Sequence, residues 1–170
     1  HELRQAAQAS QQSEEVANAM RKYMFDDNVM MSTMGLNYHH IKVKTWAMFA
    51  PLFANILTPD EAQKVVHDHL LNKKEFSTRY GVPTVAIDEP SFDPKGFWRG
   101  PIWMSTNWFI YKGLLNYGFE SEAAKILNDS LTLLGKYGFR EQYNPLTGEP
   151  MGADNFTWGG LVLDMLAQQR

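Results

Sequence analysis

Two kinds of helix alternate along this chain, and that alternation restricts its possible folds more than any other feature. Helix formers run from residue 2 to about 24 (Leu3, Ala6, Ala7, Ala9, Glu14, Glu15, Val16, Ala17, Met20), with apolar positions at helical spacing and one richly polar face. This segment is expected on the outside. Residues 45–57 (Trp46, Met48, Phe49, Pro51, Leu52, Phe53, Ile56) are apolar nearly all round, which implies burial on most sides. Pro51 predicts a kink or a late start there. The next helix opens sharply at Thr58-Pro59-Asp60-Glu61, with a capping Thr, a Pro at the first helical position and a Glu three residues after the cap. It runs to about Leu71 and is amphipathic, with Ala62, Val65, Val66 and Leu70 inward. Residues 102–117 are again mostly apolar and end at Gly118, whereas residues 121–137 are amphipathic and stop at Gly138. A last buried helix is predicted over residues 156–167 (Trp158, Leu161, Val162, Met165, Leu166).

Amphipathic segments face water on one side, while apolar ones must be wrapped on both. An α-hairpin toroid meets both demands, with inner helices enclosed by outer ones. A plain bundle would make every helix amphipathic and keep its loops short. The expected class is therefore all-α, with alternating inner and outer helices. Each predicted inner helix follows a long polar and aromatic loop: residues 37–44, 88–101 and 138–155. These loops should gather at one mouth near the positive N-terminal ends of those helices. Asp26-Asp27-Asn28 reads as a helix stop, and residues 29–44 as irregular or short extended structure. Residues 72–100, with Pro83, Pro90, Pro94, Gly81 and Gly96, form a connection long enough to suggest a functional role.

Composition excludes several classes of function. A chain of 170 residues with 44% hydrophobic and 21% charged residues suits one globular domain, taken here as residues 1–170. The net charge of −3, without basic blocks, argues against nucleic acid or anionic membrane as a partner. The absence of cysteine removes disulfides and thiolate metal sites and leaves the compartment open. No apolar run approaches the ~20 residues of a membrane span. The chain opens on His1 within a helical pattern, so the expectation is a piece of a longer polypeptide.

The loop over residues 139–149 (Phe-Arg-Glu-Gln-Tyr-Asn-Pro-Leu-Thr-Gly-Glu) places carboxylates, amides and a phenol among Pro and Gly. Loops of this kind, positioned by apolar helices, are where binding and chemistry concentrate. A mouth lined by Trp, Tyr, Asn, Arg and carboxylates reads as a carbohydrate site. Sugar rings offer apolar faces to aromatics and hydroxyls to paired polar groups.

Several linked motifs then carry a family resemblance over about residues 40–168. Gly96-Phe97-Trp98-Arg99-Gly100-Pro101-Ile102-Trp103 is followed by Tyr143-Asn144-Pro145-Leu146-Thr147-Gly148-Glu149 and Phe156-Thr157-Trp158. Ahead of them stand Tyr80-Gly81-Val82-Pro83-Thr84-Val85-Ala86-Ile87-Asp88 and Ser91-Phe92-Asp93-Pro94. In this order they resemble the C-terminal half of glycoside hydrolase family 63, including its mannosylglycerate and glucosylglycerate hydrolases and processing α-glucosidases. The resemblance implies about half of an (α/α)6 toroid and an inverting glycosidase, which works with two carboxylates on opposite faces of the scissile bond. It places the general base at Glu141. The family's general acid is an Asp in a Gly-Trp-Asp-Asn-Ser-like motif, and this sequence has none; Asp154-Asn155 lacks the preceding Trp and the following Ser. Phe97 stands where many members have Tyr, and Met104 where Pro is common. The expected partners are a small saccharide and the missing N-terminal half of the barrel or a second chain, with homo-oligomerisation as another way to cover an open apolar edge. No cofactor and no metal are expected.

Individual residues keep competing readings. Without the resemblance Glu141 would be a solvated loop carboxylate, with Glu149 as its rival. Trp98 and Trp103 are read as saccharide-stacking aromatics against a core role, and Trp158 stands equally between the two. Arg99, beside Gly100, either contacts substrate or pairs with Asp93 or Glu141. Asn107 and Tyr143 are read as further groups lining the site. His67 and His69 lie two apart on a helix and should face different ways. His39-His40 in a loop could bind a metal but reads first as structural. The triplets at Asn128 and Asn155 match a glycosylation signal by chance. A non-catalytic carbohydrate-binding remnant and a trehalase- or glucoamylase-like toroid are the competing functional classes.

Overall fold

The computed structural model describes residues 2–27 and 29–168. Asn28, the third residue of the expected helix stop, lies outside the described residues. The chain divides into two compact units, residues 1–43 and 44–170.

In the first unit, helix α1 (Glu2–Met24) has no buried residue, as its polar composition requires. It ends in a tight hairpin of β1 (Phe25–Asp26) and β2 (Val29–Met30), followed by a second hairpin of β3 (Ser32–Met34) and β4 (His39–Ile41). The segment expected to be irregular or short extended structure is thus two short ladders. His40 bonds through Nε2 to the Tyr23 carbonyl at 2.9 Å, and Tyr23 stacks on Tyr38 with centroids 4.1 Å apart.

The second unit holds the alternating helices. A 3-10 turn (Trp46–Phe49) leads into α2 (Ala50–Phe53), which starts late with Pro51 in its first turn. Helix α3 (Pro59–Val65) opens with the full capping box: Thr58 Oγ1 accepts from Glu61 N, and Glu61 Oε2 accepts from Thr58 N. It continues as a π-turn (Val66–Leu70). Helices α4 (Met104–Asn116) and α5 (Glu120–Tyr137) form a hairpin, and a 3-10 turn (Thr157–Gly160) leads into α6 (Leu161–Ala167).

Helix α4 packs against α2 on one side and α6 on the other, and α5 lies against both α4 and α6. Such an order, a row of apolar helices backed by an amphipathic one that bridges neighbours, is a segment of an α/α toroid. Burial follows it. Phe49, Leu52, Ile110, Tyr111, Leu114, Val162 and Met165 are buried on the inner row, and Ala123, Ile126, Leu127 and Leu133 on the inward face of α5. Side-chain hydrogen bonds pin the inner helices together: Tyr111 OH donates to the Met165 carbonyl at 2.9 Å, and Trp108 Nε1 to Asp164 at 2.7 Å.

The loops ahead of the inner helices are tied into a broken ladder of extended segments. Thr45 bridges Val85, Thr84 N–H donates toward the Gly100 carbonyl at 3.3 Å, and Ile102 bridges Tyr143. A partly buried ion network anchors one end of this ladder. Lys44 Nζ lies 2.8 Å from Glu75 and 2.6 Å from Asp88, and the other Glu75 oxygen is 2.7 Å from His69 Nδ1. Burial alone would lower the Lys44 pKa, but its two carboxylate partners outweigh it and raise it. His69 thus turns toward Glu75 while His67 meets Phe119, so the two point apart.

The structure corrects one expectation directly. Residues 139–149 do not form an open loop. Strand β5 (Arg140–Tyr143) pairs antiparallel with β6 (Pro150–Asp154), and residues 144–149 make the turn. Asn144 closes that turn by accepting from the backbone of Leu146 and Thr147 through Oδ1.

Candidate active site

Glu141 sits at an irregularity in the β5–β6 ladder. Arg140 pairs with Asp154 and Gln142 with Met151, so Glu141 alone faces two residues, Gly152 and Ala153. Gly152 has φ +71°, the left-handed conformation of the glycine in a G1-type β-bulge. Bulges re-aim side chains, and this one lets Glu141 fold back over β6, where Oε2 accepts from Ala153 N–H at 3.0 Å. The fit depends on glycine: a Cβ at position 152 would overlap that oxygen and stand 2.8 Å from Glu141 Cβ. Among the described residues no hydrogen bond reaches Oε1. One oxygen of the carboxylate is therefore anchored, and the other is left for a ligand or a water.

The strand carrying Glu141 is fixed from both flanks. Tyr143 N–H and carbonyl pair with Ile102, the residue before Trp103, at 3.0 and 2.8 Å. The Tyr143 ring is fully buried, and its hydroxyl donates to the Gly138 carbonyl at 2.6 Å while accepting from Arg140 N–H at 3.2 Å. Burial pushes its phenol pKa up, which keeps the hydroxyl a donor. At the hairpin base, Phe156 N–H donates to the Phe139 carbonyl at 3.0 Å, and β5 lies against the turn that carries Trp158.

Beside this hairpin stands an aromatic cluster of Phe97, Trp98, Trp103, Phe156 and Trp158. Trp98 and Trp103 lie face to face, with centroids 4.2 Å apart and planes within 4°. Phe97 meets Trp103 edge-on at 5.0 Å, and Trp158 is tilted 5.4 Å from Trp103. The two stacked indoles differ in access: Trp103 is 2% exposed and Trp98 is 40%. Trp158, at 38%, is also open. Of the three tryptophans, Trp98 and Trp158 keep ring surface open to solvent, whereas Trp103 is the platform beneath Trp98. Trp103→Ala is expected to cost about 3–5 kcal/mol of stability, as for other buried aromatics. Trp98→Ala should lower the melting temperature clearly less than Trp103→Ala does, because its ring is already 40% exposed, and weaken saccharide binding. Thermal melts and calorimetric titrations on both variants check this; equal melting losses would place both rings in the core.

The loop that presents Trp98 is closed on Asp93. Asp93 N–H donates to the Arg99 carbonyl at 2.8 Å, its carbonyl accepts from Gly96 N–H at 2.9 Å, and its Oδ1 accepts from Lys95 N–H at 2.9 Å. Gly100 is required by close approach, since a Cβ there would collide with the Asp93 carbonyl oxygen. Phe97 adopts φ +53°, strained for a bulky residue, and Trp103 Nε1 holds it there by donating to its carbonyl at 2.9 Å. Arg99 is exposed and pairs with Asp93 at 3.2 Å. Of the two carboxylates considered for it in the sequence, the structure gives it Asp93.

Asn107, read from the sequence as lining the site, is fully buried with its amide saturated by backbone. It accepts from Val82 N–H at 2.9 Å and donates to the carbonyls of Val82 at 2.9 Å and Trp103 at 3.2 Å. Its place is under the site, holding the long connection to α4. Sequence reasoning misses Arg140. It is half-buried, pairs with Asp154 through Nη1 and donates from Nη2 to the Gly152 carbonyl at 3.1 Å. Its adjacency to Glu141 is visible in the sequence, but the bulge that brings it to bear is not.

A family profile described as the mannosylglycerate hydrolase MGH1-like glycoside hydrolase domain matches residues 1–159. Mannosylglycerate hydrolase of Thermus thermophilus is 40% identical over 72% of this chain, and mannosylglycerate hydrolase MGH1 of Selaginella moellendorffii 35% identical over 67%. The chain spans only 29% and 23% of their respective lengths. The crystal structure of a GH63 mannosylglycerate hydrolase from Thermus thermophilus in complex with glucose superposes with a TM-score of 0.79 at 31% identity, over 89% of this chain and 38% of that one. With the toroid segment, the linked aromatic motifs and the carboxylate-bearing hairpin all in place, the chain belongs to the MGH1-like glycoside hydrolases of family GH63.

Proposed function

We propose that this chain forms the base-bearing part of an inverting glycoside hydrolase acting on a small α-mannoside or α-glucoside. The observation that carries the reading is the state of Glu141: one oxygen anchored on Ala153, the other without a hydrogen bond among the described residues, on a strand tied to the aromatic cluster. A saccharide ring would lie against Trp98 and Trp158, with its polar edge toward β5. A water between Glu141 Oε1 and the anomeric carbon would lose its proton to that oxygen as its own oxygen attacks. The glycosidic oxygen leaves from the opposite face and takes a proton from a carboxylic acid roughly 6.5–9.5 Å from the base. That acid is assigned to the remainder of the barrel, either on the same polypeptide or on a second chain. The relatives' names favour glycerate-linked sugars as the substrate class.

The test is the stereochemistry of the product. The complete barrel, this chain together with the remainder its relatives carry, is given an α-mannosylglycerate, and the anomeric protons are followed by NMR. The β-anomer of mannose is expected first, before mutarotation. Initial release of the α-anomer would remove the general-base role. Saturable saccharide binding without cleavage would instead favour the non-catalytic reading.

A further inference from the structure

The peptide group joining Gly152 to Ala153 is held at both ends. Its carbonyl oxygen accepts from Arg140 Nη2 at 3.1 Å, and its N–H donates to Glu141 Oε2 at 3.0 Å. Arg140 and Glu141 are neighbours, so a regular strand would send them to opposite faces of the ladder. The bulge brings both to the two edges of one peptide plane. The guanidinium is turned wholly toward β6, with Nη1 on Asp154, Nη2 on Gly152 and Nε buried without a partner among the described residues.

We propose that Arg140 positions the carboxylate of Glu141 through this single peptide group; the proposal rests on the general-base reading of Glu141. A trans peptide is planar, so fixing the direction of its carbonyl fixes the direction of its N–H. The need for an aligning group follows from Gly152. Only glycine leaves room for the Glu141 side chain, yet glycine also populates alternative backbone wells readily, and a rotated peptide would turn the Ala153 N–H away. Arg140 removes that freedom from the carbonyl side. Its charge also polarises the carbonyl and strengthens the N–H as a donor, in the manner of coupled hydrogen bonds. With Oε2 tied down, Oε1 keeps a single direction toward the water it must deprotonate.

Two readouts test this. In the complete barrel, Arg140→Gln is expected to lower kcat by about 100-fold, the scale of a misplaced reacting group, with KM little changed. Arg140→Lys, which keeps a cation and a donor, should recover most of that loss. The second readout needs no turnover: the Ala153 amide proton, followed by NMR in this chain, should shift with pH as Glu141 titrates. That shift should vanish in Glu141→Gln and shrink in Arg140→Gln. Should the glutamine variant not fold, Arg140→Lys carries the test alone, with a several-fold loss of kcat and an altered Ala153 titration expected. Unchanged kcat, a fall in melting temperature with kcat intact, or an Ala153 titration indifferent to residue 140 overturns the proposal. If Glu141→Gln retains turnover while the Ala153 titration still depends on Arg140, the coupling stands and the general-base reading falls, so the two failures are separable.

Discussion

Glu141→Gln in the complete barrel is expected to lower kcat by at least about 10²–10⁴-fold, the range assigned to a general base. The substitution keeps the shape of the side chain and leaves a carbonyl oxygen able to accept from Ala153 N–H, so the hairpin should fold unchanged. What it removes is the capacity to take a proton from water. Saccharide affinity, which the proposed site draws from the open faces of Trp98 and Trp158, should persist, and calorimetric titration beside single-turnover kinetics separates the two effects. Turnover within a few-fold of the parent would move the base elsewhere. Glu149 would be the first alternative, although it is exposed on the hairpin turn and bonded to Thr147 Oγ1 at 3.2 Å.

Asn107→Ala should produce a loss of stability on the scale of that expected for Trp103→Ala. The side chain satisfies both the N–H and the carbonyl of Val82 in a site with no solvent access. Removing it strands two buried backbone groups at about 1–3 kcal/mol each, so the expected cost is about 2–6 kcal/mol. For a chain of this size that is a drop of roughly 10 °C in melting temperature. Asn107→Asp makes the argument sharper, because a carboxylate can accept from Val82 N–H but cannot donate to its carbonyl. Differential scanning calorimetry on both variants decides the point. An unchanged melt together with weakened saccharide binding would return Asn107 to the lining of the site.

The two substitutions act at different levels of one construction. Asn107 holds residues 81–82 against the start of α4, and Thr84, two residues on, bonds Gly100, which leads into Trp103. Ile102 in turn carries β5 and hence Glu141. Disturbing the clamp should loosen the ladder that aligns the loops, while changing the carboxylate should leave that ladder intact and stop its chemistry.

The helices were legible in the sequence because burial and period are local properties. Trp46 to Phe53, Met104 to Tyr117 and Leu161 to Met165 are apolar on too many sides for surface helices, and all three lie in the inner row. Thr58-Pro59-Asp60-Glu61 specifies its cap from four residues alone. The family motifs likewise singled out Glu141 and the tryptophans as candidates. Their division of labour was decided only by tertiary structure. Trp98 and Trp103 are both tryptophans of one motif, and which becomes platform and which becomes surface depends on what packs beneath them. Asn107 and Tyr143 look like ligand-binding groups by type; their backbone partners, Val82 at a separation of 25 residues and Gly138 across a strand start, make them struts. The bulge at Gly152 is the clearest case. A glycine in sequence says only that left-handed backbone is permitted, whereas the register of β5 against β6, a pairing between distant residues, requires it and thereby aims the carboxylate.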